Sequence, residues 1–330
     1  MNEAVITRGL VKRYGRHRAL DGFTLAVPAG SITGLVGRNG AGKTTWMMTV
    51  AGFVLPDAGE VNILGSGPFD ARRHGGRFTI LPQDSDLPNE GRVRALLVNY
   101  ARLQGLTARA AAESADRLIA AFNLTDKARA PIRALSHGMR KRVMVAQAFL
   151  GSPEVVMLDE PLSGLDPVEA DRLRAFLLSL KGRTTLVVSS HQLDDIEKLC
   201  THVAFVADGK VERMETLRAL TSAAGRVVYA LRRAPADLAA LEAAVPGVTL
   251  STQSPSNTPQ TTQTPNNPNN PNTQTPNNPN TTLIAEFGDD LAVESVNAAL
   301  LPRLVDFGVV AVTPGRSLEE VYLHDSRRAE

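Results

Sequence analysis

The chain carries, near its start, the glycine-rich stretch Gly37-Arg38-Asn39-Gly40-Ala41-Gly42-Lys43-Thr44-Thr45. It fits the pattern G-x-x-x-x-G-K-[ST] of a phosphate-binding loop. The apolar run over 31–36 is typical of a buried strand, and a helix is expected to start at Thr44. A loop between strand and helix points backbone N–H groups and the positive helix end at one place, which suits a polyphosphate. The stretch therefore predicts an α/β fold with a nucleotide site at this loop.

Each residue type in the loop has a physical reason to be there. Glycines let the backbone approach a phosphate without a Cβ in the way. The Lys43 ammonium can reach the β- and γ-phosphates, and the Thr44 hydroxyl can bind Mg²⁺. The alternative is a glycine-rich turn with a solvated lysine, which the strand–loop–helix context disfavours. The expected nucleotide-binding residues are Gly37, Asn39, Gly40, Ala41, Gly42, Lys43, Thr44 and Thr45.

Composition limits the classes of protein to consider. A length of 330 residues suggests two domains, and 43% hydrophobic with 21% charged residues is ordinary for a globular protein. A net charge of +2 is too small to favour nucleic acid or an anionic membrane as a bulk partner. The single cysteine, Cys200, excludes an intrachain disulfide and fits a reducing compartment. We expect no signal peptide and no membrane span, since no apolar run approaches about 18 residues.

Residues 1–220 alternate strand-like and helix-like segments, as in an α/β domain. Strands are predicted over 5–11, 19–27, 32–36, 78–81, 155–158, 185–189, 203–207 and 210–213, and helices over 92–103, 108–122, 136–150, 168–180 and 192–199. The β-branched, apolar runs at 155–158 and 185–188 favour strands of a parallel sheet that are buried on both faces. Asp208-Gly209 predicts a hairpin turn.

Residues 221–330 predict a small α+β domain with an interruption. The tract 251–282 contains only Ser, Thr, Gln, Pro and Asn. We predict that it is a disordered linker or loop insertion, because it cannot bury enough apolar surface to order itself. Strand, helix and strand are expected before it (226–232, 235–244, 247–250) and again after it (283–287, 291–300, 305–312). This pattern resembles the split β-α-β, ferredoxin-like arrangement. Alternatively, the two halves belong to unrelated small elements.

Two carboxylates follow the predicted strand over 155–158. Asp159 suits a second position beside Mg²⁺, and Glu160 suits a residue that polarises an attacking water. Solvated acids at a strand end are the alternative, which the upstream phosphate loop disfavours.

Two further features carry candidate residues. Ser136 is expected to cap a basic helix whose N-terminus would face an anion, although a capped basic helix is often only structural. His191 follows the predicted strand 185–189 on the nucleotide side, where its imidazole could contact a γ-phosphate or merely cap the strand.

In their order along the chain, these motifs resemble the ATP-binding subunits of ABC transporters, over residues 1 to about 215. The resemblance implies a P-loop NTPase domain with a helical subdomain over about 84–153. Tyr14 is similar to the aromatic residue that stacks on adenine, 37–45 to Walker A, Gln83 to the Q-loop, 135–139 to the signature motif, Asp159-Glu160 to Walker B, 163–166 to the D-loop and His191 to the switch histidine.

The resemblance also implies ATP hydrolysis in a head-to-tail pair, with each ATP between the phosphate loop of one subunit and the signature of the other. Nucleotide contacts would include Tyr14, Ser136, Gly138 and Asp166. The catalytic residues would be Glu160, His191, Lys43 and Gln83, and Mg²⁺ would bind Thr44, Gln83 and Asp159. His137 and Met139 depart from the usual glycine and glutamine of the signature. A His137 side chain that crowds the phosphate would weaken hydrolysis, but we expect the site to work. Signatures of this Leu-Ser-x-Gly-Met kind resemble those of ABC-2-type exporters.

The implied partners are a separate membrane permease, met through the region 85–100, and a second copy or a paralogous subunit. The chain would then lie at the cytoplasmic face of the cell membrane, held there by the permease. The segment 317–323 is similar to the C-terminal helix of ABC-2-type ATPase subunits, which favours export. No nucleic acid is expected as a partner. The alternatives are a non-transport ABC ATPase that acts on DNA or ribosomes, and a nucleotide-dependent regulator with the C-terminal module as sensor.

Overall fold

A computed structural model of the chain describes residues 2–222, 225–253, 281–287, 291, 293–315 and 318. The chain divides into two compact units, Met1–Leu217 and Arg218–Glu330. The sequence placed the division near residue 220. None of the described helices has the length and apolar character that crossing a membrane requires.

The first unit combines nine strands with seven helices among the described residues. Its strands are β1 (Glu3–Tyr14), β2 (His17–Pro28), β3 (Ile32–Val36), β4 (Ala58–Ile63), β5 (Phe78–Leu81), β6 (Val155–Asp159), β7 (Thr185–Ser189), β8 (His202–Ala207) and β9 (Lys210–Thr216). Its helices are α1 (Lys43–Val50), α2 (Ala71–His74), α3 (Val93–Leu103), α4 (Ala108–Ala121), α5 (His137–Gln147), α6 (Pro167–Ser179) and α7 (Leu193–Leu199). Helix α8 (Leu217–Ser222) begins at its last residue.

The strands of the first unit form two sheets. A six-stranded sheet has the order β5-β6-β7-β3-β8-β9, in which β5, β6, β7, β3 and β8 run parallel. Strand β9 pairs antiparallel with β8 through the turn at Asp208-Gly209, where both residues have positive φ. A separate antiparallel sheet has the order β2-β1-β4. The predicted parallel sheet and the predicted hairpin turn are both confirmed.

Helix α1 packs between the two sheets and joins them into one core. Trp46 is fully buried, and its ring stacks on Phe23 of β2 with 5.6 Å between ring centroids. Its indole Nε1 donates to Thr7 Oγ1 of β1 at 3.0 Å. The same core cluster includes Met157 of β6 and Val187 of β7. The helix that follows the phosphate loop is therefore fixed on both sides by apolar packing.

Between β5 and β6 the chain is helical. Helices α3 and α4 pack together, and both contact α5. Thr107 caps α4 through a hydrogen bond to the N–H of Ala110, and Ser136 caps α5 through one to the N–H of Met139. The N-cap role predicted for Ser136 is thus confirmed, and α5 is shorter than the predicted helix over 136–150.

After α8, the described residues of the second unit form a four-stranded antiparallel sheet with the helices α9 and α10. Its elements are β10 (Arg226–Leu231), α9 (Leu238–Ala243), β11 (Val248–Gln253), β12 (Thr281–Phe287), α10 (Val293–Leu304) and β13 (Val309–Pro314). The strand order β11-β12-β10-β13 places β12 between β10 and β11, which α9 connects. The predicted split β-α-β arrangement is confirmed. Its core gathers apolar residues of β10, β12 and α10, with Tyr229 fully buried.

The second unit differs from the predictions at two segments, and most of a third predicted segment lies outside the described residues. The tract 251–282 was expected to be disordered throughout, but 251–253 lie in β11 and 281–282 in β12, because Ser251 pairs with Ile284 and Gln253 with Thr282. Residues 254–280 lie outside the described residues. The strand expected over 305–312 is also shifted, since a 3-10 turn occupies 305–307 and β13 starts at Val309. The expected helix over 317–323 lies outside the described residues except for Leu318, which is buried.

Candidate nucleotide-binding site

The phosphate loop leaves the carboxyl end of β3 and enters α1, as the sequence predicts. Gly37 lies against β8, since a Cβ built there would be 2.1 Å from the backbone oxygen of Val206. Gly42 caps α1 with φ 108, and a Cβ there would be 2.6 Å from the backbone oxygen of Ala19. Asn39 and Gly40 are exposed at the tip of the loop. The loop is therefore a narrow backbone cradle that is open at its tip, where a polyphosphate fits.

Lys43 is buried at the base of this cradle. Its Nζ donates to the backbone oxygens of Gly37 at 2.6 Å and Arg38 at 3.2 Å. Burial lowers the pKa of Lys43, and the negative charges of Glu160 and Asp159 oppose that shift. Its ammonium is thus hydrogen-bonded to the loop and lies in the electrostatic field of two carboxylates.

The predicted magnesium ligands from the two motifs meet in space. Thr44 Oγ1 donates to Asp159 Oδ2 at 2.7 Å. Asp159 is buried and also accepts a hydrogen bond from Ser189 Oγ at the end of β7. A hydroxyl and a carboxylate are the hard oxygen ligands that Mg²⁺ takes from proteins when it also binds phosphate. The donor set therefore fits Mg²⁺.

Glu160 follows β6 in an unusual backbone conformation. Its φ of 50° lies in the left-handed region, which few non-glycine residues adopt. Its N–H donates to Ser189 Oγ at 2.9 Å, and its Oε1 lies 2.9 Å from His191 Nδ1. Because a carboxylate only accepts, Nδ1–H is the donor, which leaves Nε2 as the acceptor in neutral histidine. The Glu160 side chain is 9% exposed and that of His191 53%, so the histidine lies at the open side of the pair.

The signature residues form a second group in the same unit. A Cβ built on Gly138 would lie 4.0 Å from Leu165, and one on Gly164 would lie 3.2 Å from His137 Nε2. Asp166 caps α6 by accepting the N–H of Glu169 at 3.0 Å. Ser136 and His137 are exposed at the start of α5. Among the described residues, the side-chain hydrogen bonds of Ser136 and Asp166 are these helix caps, and they do not join the cluster around Lys43.

Tyr14 and Gln83, two other predicted site residues, are exposed. Tyr14 ends β1 with its side chain half exposed, and the Lys12 ammonium is 5.7 Å from its ring centroid. Gln83 is exposed in the turn after β5. The pairing of Leu81 with Leu158 puts this turn at the same sheet edge as Asp159. Thr45 lies in the first turn of α1, and Ala41 is buried in the loop.

The sequence missed two residues of the site. Ser189 joins Asp159 to the Glu160 backbone. The available signal was its position at a strand end, two residues before His191. Lys141 of α5 is buried, and its Nζ donates to the Glu160 backbone oxygen at 3.1 Å. Burial lowers the pKa of Lys141, against the opposing charges of Glu160 and Asp159. No local pattern distinguishes this lysine from its basic neighbours.

Comparison with known sequences places this arrangement in a family. The profile of the family described as ABC transporter matches residues 20–163. A daunorubicin resistance ATP-binding protein, DrrA3 of Streptomyces coeruleorubidus, is 36% identical over 255 residues, which cover 76% of this chain and 80% of that protein. A Nod factor export ATP-binding protein I of Ralstonia nicotianae is 37% identical over 207 residues, or 61% of this chain and 64% of that protein. The chain thus spans less than two thirds of the Ralstonia relative.

Solved structures of ABC transporter ATP-binding subunits have a similar fold. The structure described as the ATP binding subunit of an ABC transporter aligns with a TM-score of 0.60 and 26% identity, covering 66% of this chain and 91% of that one. The ADP conformation of an ATP-binding cassette, MJ1267, aligns with a TM-score of 0.58 at 22% identity, which supports the fold alone. The chain belongs to the family of ABC transporter ATP-binding proteins.

Proposed function

We propose that this chain hydrolyses ATP to power a separate membrane permease, and that the transport is export. The observation that carries the proposal is the joined cluster of Thr44, Asp159, Glu160 and His191 beside the phosphate loop. In this cluster, one carboxylate lies next to a hydroxyl and the other next to an imidazole. Phosphoryl transfer needs one group that binds the metal ion and another that orients the attacking water, and these two carboxylates are placed for the two roles.

The roles follow from position. Lys43 and the N–H groups at the start of α1 bind the β- and γ-phosphates. Glu160 accepts a hydrogen bond from the attacking water and aims it in line with the γ-phosphate. The His191 imidazole keeps the Glu160 carboxylate in place and carries a second ring nitrogen at the open side of the pair. When bound to Thr44, Asp159 and Gln83, Mg²⁺ would neutralise charge on the β- and γ-phosphate oxygens.

We further propose that two subunits close head to tail on ATP. Ser136 and Gly138 stand at an exposed helix start, outside the cluster around Lys43. The Ser136 hydroxyl accepts the Met139 N–H and can still donate its own proton, so this helix N-terminus suits a γ-phosphate presented by a second subunit. The γ-phosphate would favour the closed pair by contacts that hydrolysis removes. Asp166, as the cap of α6, would place its loop at that interface.

The names of two relatives and one surface of the first unit support the permease partner and the direction of transport. The names of two relatives, one for Nod factor export and one for daunorubicin resistance, favour an exporter subunit. A groove of about 420 Å³ lies between β5, α3 and α5, lined by Thr79, Tyr100, Gln104 and Gln147 among others. Beside it, at the end of α3, Leu103 is 84% exposed. This surface suits a permease helix, and docking there would hold the chain at the membrane.

The variant Glu160→Gln tests the proposal. Removing the charge while keeping the shape should abolish turnover, since the amide cannot orient water as a base does. ATP binding should persist, so ATP-bound pairs should accumulate and be detectable by size-exclusion chromatography. Glu113→Gln, an exposed glutamate on α4 that pairs with Arg109, is the matched control and should keep wild-type turnover. A Glu160→Gln protein with wild-type ATPase rates would refute the assigned role.

A further inference from the structure

Helix α5 carries three consecutive cations that contact three different parts of the first unit. Arg140 Nη2 donates to Asp86 Oδ1 at 2.7 Å and to the Leu87 backbone oxygen at 2.8 Å, in the segment after β5. Arg142 Nη1 donates to the backbone oxygen of Phe122 at the end of α4 at 3.0 Å. The Arg142 guanidinium also pairs with Glu169 of α6 at 3.2 Å. Both arginines therefore connect α5 to neighbouring segments of the helical part and of α6.

The middle cation, Lys141, contacts the catalytic cluster instead. It is only 8% exposed, and its Nζ donates to the backbone oxygen of Glu160. The negative charges of Glu160 and Asp159 act on it. A buried ammonium is costly unless it is hydrogen-bonded and faces opposite charge. At this position Lys141 has both a hydrogen-bond acceptor and nearby negative charges. Its ammonium therefore makes a specific contact within the protein and is not simply solvated.

The contacts of Glu160 show what this hydrogen bond restrains. A glutamate at φ 50° is strained and persists only where its surroundings hold it. Ser189 Oγ accepts its N–H, Lys141 Nζ donates to its carbonyl oxygen, and His191 holds its carboxylate. The Ser163 N–H also donates to that carbonyl oxygen, at 3.3 Å. Lys141 is thus one of four contacts that determine where the carboxylate points, and it is the one supplied by the signature helix.

We propose that Lys141 is a positioning residue for ATP hydrolysis, which holds Glu160 in its left-handed conformation and so aims its carboxylate at the attacking water. The inference rests on the proposed function, because it assigns Lys141 an effect that acts through Glu160. It also links α5, which begins beside Ser136, to the carboxylate of the same chain. Lys141 contacts neither the phosphate loop nor the nucleotide in this scheme.

The test uses Lys141→Met in the full-length protein, which keeps the length and removes the donor. Turnover at saturating ATP should fall about tenfold or more, the usual effect of losing one hydrogen bond from a charged group. The dissociation constant for ATP, measured by calorimetry with EDTA to prevent hydrolysis, should change by less than about twofold, because the phosphate loop is untouched. Lys181→Met, the same change at an exposed lysine, is the control and should leave both quantities unchanged.

Two further measurements separate positioning from general stabilisation. Lys141→Arg retains a long cationic donor and should recover at least part of the lost turnover. In the Glu160→Gln background, Lys141→Met should cause no additional loss in single-turnover rate, because both changes act through one carboxylate. If the Met variant unfolds below the assay temperature, Lys141→Gln is measured in the same way and must show the same selective loss of turnover.

The outcomes distinguish the two proposals. Wild-type turnover in the Lys141 variants, with Glu160→Gln inactive, would overturn the positioning role and leave the proposed function standing. A parallel loss of ATP affinity and turnover would also overturn it, because positioning predicts a selective effect. Wild-type turnover in Glu160→Gln would remove the proposed function itself.

Discussion

Gly37 and Gly40 stand in the same loop for different physical reasons. A side chain at Gly37 would collide with the Val206 backbone oxygen, which the pairing of β8 with β3 and β9 holds in place. Gly40 has nothing within 4 Å of a built Cβ, and its requirement is the φ of 84°. The motif therefore needs close approach at one glycine and left-handed backbone at the other. The P-loop pattern specifies Gly37 but leaves position 40 open, and only the structure shows which constraint applies to each glycine.

The variant Gly37→Ala should weaken ATP binding by about tenfold or more, because the strand behind the loop cannot move and the loop must shift instead. Isothermal calorimetry with ATP measures the effect. Gly65→Ala is the control, since a Cβ there has open space despite a φ of 71°. It should cost about 1 kcal/mol of stability and leave ATP affinity unchanged. Equal ATP affinities for Gly37→Ala and wild type would show that the loop does not need its contact with β8.

At the level of elements, the sequence predicts β3, β5 and β7 with the bounds that the structure shows. Four of the five residues of β3 are aliphatic or glycine. All five residues of β3 and all five of β7 are buried, so each strand is an uninterrupted run of buried positions. Strand β4 was missed because only Val61 and Ile63 of its six residues are buried, which leaves too short an alternation. The contact of Lys141 with Glu160 was missed for a related reason. It joins residues that are far apart in sequence, and only the packing of α5 creates it.

Trp46 tests whether α1 depends on both sheets. The variant Trp46→Phe removes the hydrogen bond to Thr7 Oγ1 and part of the stacking on Phe23. The free energy of unfolding should fall by about 2 kcal/mol. Urea unfolding followed by circular dichroism measures it, since the substitution removes the only tryptophan. Phe53→Leu, at a side chain that is 65% exposed, should change the midpoint little. An unchanged midpoint for Trp46→Phe would mean that the indole does not contribute to the core as its burial implies.

On the scale of the whole molecule, the residues for one reaction fall into two groups. Lys43, Thr44, Asp159, Glu160 and His191 form one cluster, whereas the Ser136 side chain caps the exposed start of α5. In the proposed head-to-tail pair, a second subunit supplies the Ser136 group to the nucleotide that the first subunit binds. A symmetric pair then contains two equivalent sites, each built from both chains. The proposed head-to-tail pair therefore makes a prediction about mixtures of inactive variants.

Lys43→Ala and Ser136→Arg should each be nearly inactive alone, because every site in either pair carries the defect. When the two are mixed and exchange subunits, half of the pairs are mixed, and each mixed pair has one intact site. If the sites act independently, turnover should recover to roughly a quarter of the wild-type value. Mixing Lys43→Ala with the double variant Lys43→Ala/Ser136→Arg is the matched control, which should recover nothing since every site then lacks Lys43. ATPase assays give the rates, and pull-down of differently tagged subunits reports the exchange. Exchange without recovery in the first mixture would mean that each site lies within a single chain.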